Sequence, residues 1–170
     1  MEAVGAPRPL AENDERGGFD CGRPSLNIWF KRHGLANHQS GASRVSVIAG
    51  LTTGLVAGYV TLSAAQIGRG LAPKTLQRNQ PDPLPVTLLG QLAVDIRFQR
   101  QGIAVSLLYF ALRTALAASR DIGSIGVITH PLDDGVREFY AKWGFESMPL
   151  DPGGAMFVKM AAVQKYLGGI

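Results

Sequence analysis

An apolar run that leads straight into a glycine-containing turn and a helix pattern limits the fold of this chain most. Residues 86–95 read VTLLGQLAVD, a nearly continuous apolar run that predicts a strand covered on both faces. The stretch QRQGIA follows at residues 99–104, and the spacing of apolar residues predicts a helix from Gly102 to about Ser119. A strand followed directly by a helix is typical of a sheet flanked by helices.

The remaining patterns predict an α/β (α+β) mixture with both antiparallel and parallel strand pairs. The segment PSLNIWFKRHGLANHQS has an apolar and a basic side, which indicates a short amphipathic helix. A later helix pattern has Asp133 or Asp134 at its start and Gly144 at its end. Strands are predicted at residues 44–50 and 55–67, joined by a TTG hairpin turn, and at 122–130 and 155–160. A long loop rich in glycine and proline covers residues 68–85, and such loops are usually functional or mobile.

The composition favours one soluble domain that binds a partner rich in phosphate. The chain has 170 residues, 46% of them hydrophobic, which predicts a single domain over 1–170 with a polar segment at 1–17. A net charge of +4 suits a phosphate-bearing cofactor or a nucleic acid. One cysteine excludes an internal disulfide framework. We find neither the apolar core of a signal peptide nor a run of about twenty apolar residues, so we expect a cytoplasmic protein that does not span a membrane.

The small residues at the start of the central helix point to an anion site. A helix N-terminus leaves backbone N–H groups unpaired, and phosphate oxygens can reach them only where side chains do not intervene. Gly102 and Ala104 meet that condition, and Arg100 adds a positive charge. The alternative is that Gly102 only lets the chain turn from strand to helix. A GxxxxGKS/T loop and an early GxGxxG motif are both missing, which excludes a P-loop and disfavours a dinucleotide-binding fold.

Two motifs together resemble the GNAT family of N-acetyltransferases. QRQGIA fits the pyrophosphate signature Q/R-x-x-G-x-G/A of that family, and REFYAKWGFE resembles its closing helix and Gly-Phe turn. Each motif lies in the strand–helix setting in which the family has it. The resemblance implies a GNAT fold, with a mixed central sheet flanked by helices, and acetyl-CoA as the acetyl donor.

Further segments resemble the GNAT toxins of bacterial toxin–antitoxin modules. These are GFDCGRPSLNIWFKRHG, SGASR, PKTLQRNQPDPLPVTLLGQLAVD and FYAKWGF. Such toxins acetylate the α-amino group of aminoacyl-tRNA and so stop translation, and an antitoxin with a ribbon-helix-helix part neutralises them. The resemblance therefore implies an aminoacyl-tRNA substrate, a cognate antitoxin and a homodimer. Gln91 is a departure, because many relatives have arginine there.

The resemblance also assigns roles at the active site. The backbone of Leu92–Val94 would pair with the pantetheine arm, with the N–H of Val94 polarising the thioester carbonyl. Tyr140 would be the general acid that protonates the departing thiolate, although spacing alone is more typical of a packing aromatic beside Phe139 and Trp143. The residues expected to hold the cofactor are Leu92, Ala93, Val94, Gln99, Arg100, Gln101, Gly102, Ile103, Ala104 and Phe139.

Other polar residues receive weaker interpretations. His130 ends a predicted strand and could act as a base or could simply be solvated; water is the alternative base. Cys21 is more typical of packing than of a nucleophile, and Asp133 and Asp134 look like helix caps. Three scattered histidines and one cysteine do not make a metal site. The cations expected to bind tRNA are Lys31, Arg32, Arg44, Lys74, Arg78 and Arg97.

Two rival functions stay open at this stage. One is an acetyltransferase for small amines, antibiotics or protein N-termini, although acidic residues that would attract a cationic substrate are not evident. The other is a noncatalytic module that binds acetyl-CoA or a protein partner. The weakly charged C-terminus, residues 161–170, is predicted to pack on a second chain or on the antitoxin.

Overall fold

The computed structural model describes residues 1–168. They form two compact units, which are described separately. The first contains Met1–Ser63 with Gly90–Ala111, and the second contains Ala64–Leu89 with the chain from Leu112 onward. The prediction of a single domain stays a prediction. No described helix is long and apolar enough to cross a membrane.

The predicted α/β (α+β) class is confirmed by one mixed sheet flanked by helices. The strands are β1 (Arg8–Pro9), β2 (Arg44–Ala49), β3 (Val56–Ile67), β4 (Leu84–Val94), β5 (Gly126–Thr129), β6 (Glu146–Ser147) and β7 (Met156–Lys159). The helices are α1 (Pro24–Trp29), α2 (Leu35–Ser40), α3 (Ile103–Ala118), α4 (Asp134–Lys142) and α5 (Met160–Tyr166). The strand order is β1-β2-β3-β4-β5-β7-β6. β4 and β5 are parallel, whereas β2 with β3 and β5 with β7 are antiparallel.

The core of the first unit lies between the sheet and the segment that contains α1 and α2. The ring of Tyr59 is fully buried and stacks on Phe30 with 4.3 Å between ring centroids. Its hydroxyl donates to the carbonyl oxygen of Leu26 at 2.8 Å. The amphipathic helix predicted at 24–40 is therefore present, but a π-helical turn at Phe30–Gly34 divides it into α1 and α2. That wider turn contains the buried Phe30, which packs in the core.

The second unit is built on the short parallel pairing of β4 with β5. The pairing runs from Thr87 opposite Val127 to Leu89 opposite Thr129. β5 begins at Gly126, where a Cβ would clash with the carbonyl oxygen of Val158 and the ring of Phe157. The observed strand is shorter than the predicted one at 122–130, and Ile122 and Gly123 are exposed residues that precede it.

The predicted hairpin is confirmed, and the polar N-terminal segment supports it. The Glu2 carboxylate accepts hydrogen bonds from the backbone N–H groups of Thr52 and Thr53 in the turn, both at 3.1 Å. Arg8 binds Asp14 through two bonds of 2.8 and 2.7 Å. Residues 1–17 therefore contain an ordered edge strand, β1, which their polar composition does not predict.

The C-terminal region contains α5, which the sequence patterns did not predict. Val163 and Leu167 are buried, so this helix packs against its own chain. Tyr166 is 56% exposed. The predicted partner contact at residues 161–170 can thus involve only the outer face of α5, and residues 169–170 lie outside the described part of the chain.

Candidate active site

Among residues 1–168, the pairing of β4 with β5 covers only part of β4. The β4–β5 pairing ends at Leu89, whereas β4 continues to Val94. The N–H of Asp95 donates to the carbonyl oxygen of Ala57 on β3 at 2.8 Å, so odd-numbered residues here face β3. The backbone groups of Leu92 and Val94 therefore point away from β3. An extended ligand can pair with such an edge as an added strand.

The end of β4 is fixed by a network around the buried Asp95. Its carboxylate binds the Arg97 guanidinium at 2.8 Å through both Nε and Nη2, and it also accepts the backbone N–H of Asp20 at 3.0 Å. Burial alone would raise the pKa of Asp95, but these hydrogen bonds outweigh it and the pKa is lowered. The Gln99 amide donates to the carbonyl oxygens of Val94 at 3.0 Å and Cys21 at 3.4 Å. The side chains of Arg97 and Gln99 thus hold the strand end.

The turn before α3 has the geometry of an anion cradle. Arg100 and Gly102 both adopt left-handed backbone angles, with φ of +63° and +77°. A Cβ built at Gly102 would meet no atom within 4 Å, so the space beside this residue is open. Ile103 is buried and anchors the first turn against Gly58, where a Cβ would lie 2.9 Å from the carbonyl oxygen of Ala93. Glycine is therefore favoured at 102 by its positive φ and at 58 by the close approach of Ala93.

Tyr140 lies in the second unit, on α4. The helix begins at the predicted cap, where the Asp133 carboxylate accepts the N–H of Val136 at 2.9 Å. The Tyr140 ring is buried edge-to-face between Phe139 and Phe145, at centroid distances of 5.3 and 5.1 Å. Burial raises the pKa of Tyr140 to about 12, although hydrogen bonding with the side chain of Thr129 opposes the rise. The phenol is consequently protonated throughout the physiological range.

The basic residues predicted to bind RNA divide into engaged and exposed groups. Arg97 is held by Asp95, and Arg44 donates to the carbonyl oxygen of His38 at 3.1 Å. The Asp20 carboxylate interacts electrostatically with Lys31 and Arg97. Within the second unit, Lys74 and Arg78 are exposed on the long loop, which Arg69 closes by bonding to the carbonyl oxygen of Gln80 at 2.8 Å. Arg32 is exposed.

The weaker candidates have no catalytic geometry. Cys21 is buried, and burial raises the pKa of its thiol, which suits packing. His130 is exposed next to Gly153. Among residues 1–168, no group of three His, Cys, Asp or Glu side chains could hold a metal ion.

Comparison with known proteins decides the family. The model of the acetyltransferase (GNAT) family matches residues 21–145. The chain belongs to the GNAT family. It is 37% identical over 152 residues to a tRNA-acetylating toxin of Mycobacterium tuberculosis (strain ATCC 25618 / H37Rv), with 89% of this chain and 90% of the relative covered.

Two solved structures extend the comparison. A crystal structure of a tyrosine-to-phenylalanine mutant of KacT has a TM-score of 0.88 at 26% identity and covers 97% of this chain and 99% of KacT. AtaT complexed with acetyl-methionyl-tRNAfMet has a TM-score of 0.87 at 25% identity, with the same coverage of both chains. The predicted GNAT fold and acetyltransferase activity are thereby confirmed.

The residues of this GNAT chain fit acetyl-CoA. The backbone N–H groups of Leu92 and Val94 and the open space at Gly102 lie in one unit, at the two ends of the turn that Gln99 braces. The cofactor roles of Leu92–Val94, Gln99–Ala104 and Phe139 stay predictions. Sequence reasoning missed Asp95 and Thr61, because a buried aspartate and a strand threonine carry no motif. The only sequence signal for Asp95 was its position directly after the apolar run.

A substitution at Arg100 separates the effect of its left-handed backbone angle on stability from the effect of its charge on cofactor binding. A non-glycine residue in the left-handed region costs about 1 kcal/mol. We expect Arg100→Gly to raise the free energy of unfolding by about that amount, yet to weaken coenzyme A binding because a phosphate-binding cation is lost. Urea unfolding and calorimetric titration with coenzyme A measure the two effects. Unchanged affinity would place Arg100 outside the phosphate site.

Proposed function

We propose that this GNAT enzyme is the toxin of a toxin–antitoxin module and transfers the acetyl group of acetyl-CoA to the α-amino group of aminoacyl-tRNA, which blocks translation. The observation that carries the proposal is the 37% identity to a tRNA-acetylating toxin over nearly the whole of both chains. The net charge of +4 and the exposed cations Lys74 and Arg78 support an RNA substrate.

In this proposal the chain binds and orients the donor. Acetyl-CoA supplies a thioester, which is the activated acetyl group. The backbone edge at Leu92 and Val94 pairs with its pantetheine arm, and the N–H of Val94 donates to the carbonyl oxygen where negative charge develops. The backbone N–H groups at Gly102–Ala104 and the Arg100 guanidinium hold its pyrophosphate. Lys31, Arg32, Arg44, Lys74, Arg78 and Arg97 are proposed as the RNA-binding cations, with Arg97 and Arg44 the most constrained by internal contacts.

Proton transfer is assigned to Tyr140. Its hydroxyl donates a proton to the departing thiolate, which requires an acid that is still protonated at neutral pH. The raised pKa of Tyr140 meets that requirement. A tyrosine is also the residue that was replaced by phenylalanine in the crystallised KacT mutant. Water serves as the base for the relatively acidic ammonium group of an aminoacyl ester.

Mass spectrometry of a bulk aminoacyl-tRNA pool tests the proposal. After incubation with the protein and acetyl-CoA, we expect N-acetylated aminoacyl ends that name the amino acid chosen. The Tyr140→Phe variant is the matched control and should leave the pool unmodified. An unmodified pool with the wild-type protein, despite bound acetyl-CoA, would reject the RNA substrate in favour of a small amine or a protein N-terminus.

The partners belong to the same proposal. A cognate antitoxin with a ribbon-helix-helix part and a homodimer are implied by the resemblance to the toxins, as is action in the cytoplasm. Removing residues after Lys159 would also delete the buried Val163 and Leu167, so truncation cannot test the dimer cleanly. Light scattering of the whole chain, with Lys165→Glu as a variant of the exposed side of α5, tests it instead. A monomeric wild-type mass would contradict the dimer.

A further inference from the structure

The pair Thr61 and Gln91 joins β3 and β4 through a side chain. The Thr61 hydroxyl oxygen accepts the backbone N–H of Gln91 at 2.9 Å, and the hydroxyl donates to the side-chain oxygen Oε1 of Gln91 at 3.1 Å. Thr61 is only 2% exposed, so its single proton needs an acceptor within the protein. Oε1 of Gln91 is that acceptor, and this contact fixes which way the carboxamide faces. The Nε2 group must then point away from Thr61.

The Gln91 carboxamide lies on the helix-covered face of the sheet. Thr61 on β3 is paired with Val45 on β2. Val45 belongs to the core cluster against which Leu26 and Trp29 pack. Ala93 is in the same cluster, and Gln91 is two residues before it on β4. Residues two apart on a strand share a face. Gln91 therefore stands on the α1–α2 face, in the part of β4 that follows its described pairing with β5.

The chemistry of the free end of this amide selects its ligand. Gln91 is partly exposed, and no hydrogen bond to its Nε2 occurs within residues 1–168. An amide NH₂ only donates, so it pairs with a carbonyl oxygen and cannot pair with an ammonium group. Because Thr61 holds the amide oxygen, the Gln91 side chain loses little conformational entropy when its NH₂ group donates to a ligand.

We propose that Gln91 is an acceptor-recognition residue whose Nε2 donates to the ester carbonyl oxygen of the aminoacyl group; this rests on the proposed function. Thr61 acts through it as a positioning residue. The arrangement favours amines with a neighbouring carbonyl over cationic amines that lack one, and it places the acceptor beside the β4 edge where the donor thioester is proposed to lie.

Two substitutions of Gln91 test the proposal from different directions. Gln91→Glu keeps an oxygen for the Thr61 hydroxyl but replaces the donor, and Gln91→Met removes the donor without adding charge. We expect each to raise the KM for a minimal aminoacyl-adenosine ester about 10-fold or more. The KM for acetyl-CoA should stay within about twofold of the wild-type value, because the pantetheine edge is backbone.

The controls separate recognition from charge and from folding. Gln164→Glu, on the exposed face of α5, makes the same charge change and should leave both KM values unchanged. Thr61→Ser keeps the hydroxyl and should retain acceptor KM, whereas Thr61→Val should raise it. Thermal unfolding of each variant checks the fold.

The outcomes distinguish the two levels of inference. Wild-type activity on aminoacyl esters together with an unchanged acceptor KM in Gln91→Met overturns the role of Gln91 alone. An equal rise in the KM for acetyl-CoA would also overturn it, because that result indicates distortion of β4. If the wild-type protein acetylates no aminoacyl ester, the ligand is wrong and both the proposed function and this inference fail.

Discussion

Tyr140→Phe lowers kcat for acetyl transfer by about 10²–10⁴, the range that a positioned general acid contributes. The variant loses only the hydroxyl. The ring remains between Phe139 and Phe145, where Tyr140 is buried, so the fold and the KM for acetyl-CoA should be nearly unchanged. Single-turnover acetylation of aminoacyl-tRNA measures the effect, and growth of cells that express each variant gives a second readout.

Two comparisons make the Tyr140 result specific. Tyr166→Phe removes a hydroxyl from an exposed tyrosine of the same unit and should leave kcat intact. Because the pKa of Tyr140 is raised to about 12, the wild-type enzyme should show no alkaline loss of kcat from this group below about pH 11. Equal acetylation rates for wild type and Tyr140→Phe would show that Tyr140 only packs in the core and is not the general acid. Equal toxicity of the two in cells would favour the noncatalytic binding module.

The elements with strong local signals were predicted well from the sequence. The apolar run before QRQGIA became β4, and the helix predicted from Gly102 to Ser119 became α3 at Ile103–Ala118. Gly102 adopts the left-handed angle that an exposed turn into a helix needs, and Asp133 caps α4 as expected. In each case neighbouring residues decide the structure, so a short window of sequence contains the information.

The features that were missed depend on partners distant in sequence. Glu2 supports a turn fifty residues away, and β1 pairs with β2 although its two residues, Arg8 and Pro9, carry no strand pattern. Gln91 was noted only as a departure from relatives, whereas its partner Thr61 lies thirty residues earlier on β3. Arg97 was interpreted as an RNA-binding cation from its charge and its place in the sequence. Its bond to a buried carboxylate could be found only in three dimensions.

That ion pair leads to the largest expected effect on stability. Asp95→Asn should lower the free energy of unfolding by about 3 kcal/mol, because the buried site loses the charge that Arg97 and two backbone N–H groups bind. Urea denaturation at pH 7 measures the loss. Asp20→Asn, a nearby exposed carboxylate, is the matched control and should have a much smaller effect.

The pH dependence of this effect distinguishes a charge contribution from a packing contribution. The pKa of Asp95 is lower in the folded protein than in the unfolded chain, so its contribution is complete above the unfolded value of about 4 and is lost as the pH falls through the folded value. The difference between wild type and Asp95→Asn should therefore be constant from pH 7 to about pH 5 and shrink below about pH 4. Arg97→Gln should destabilise the protein at pH 7 as well, since it leaves Asp95 charged and buried without its cation. If Arg97→Gln instead weakens RNA binding with no loss of stability, the ion pair contributes little to the fold and Arg97 serves the substrate.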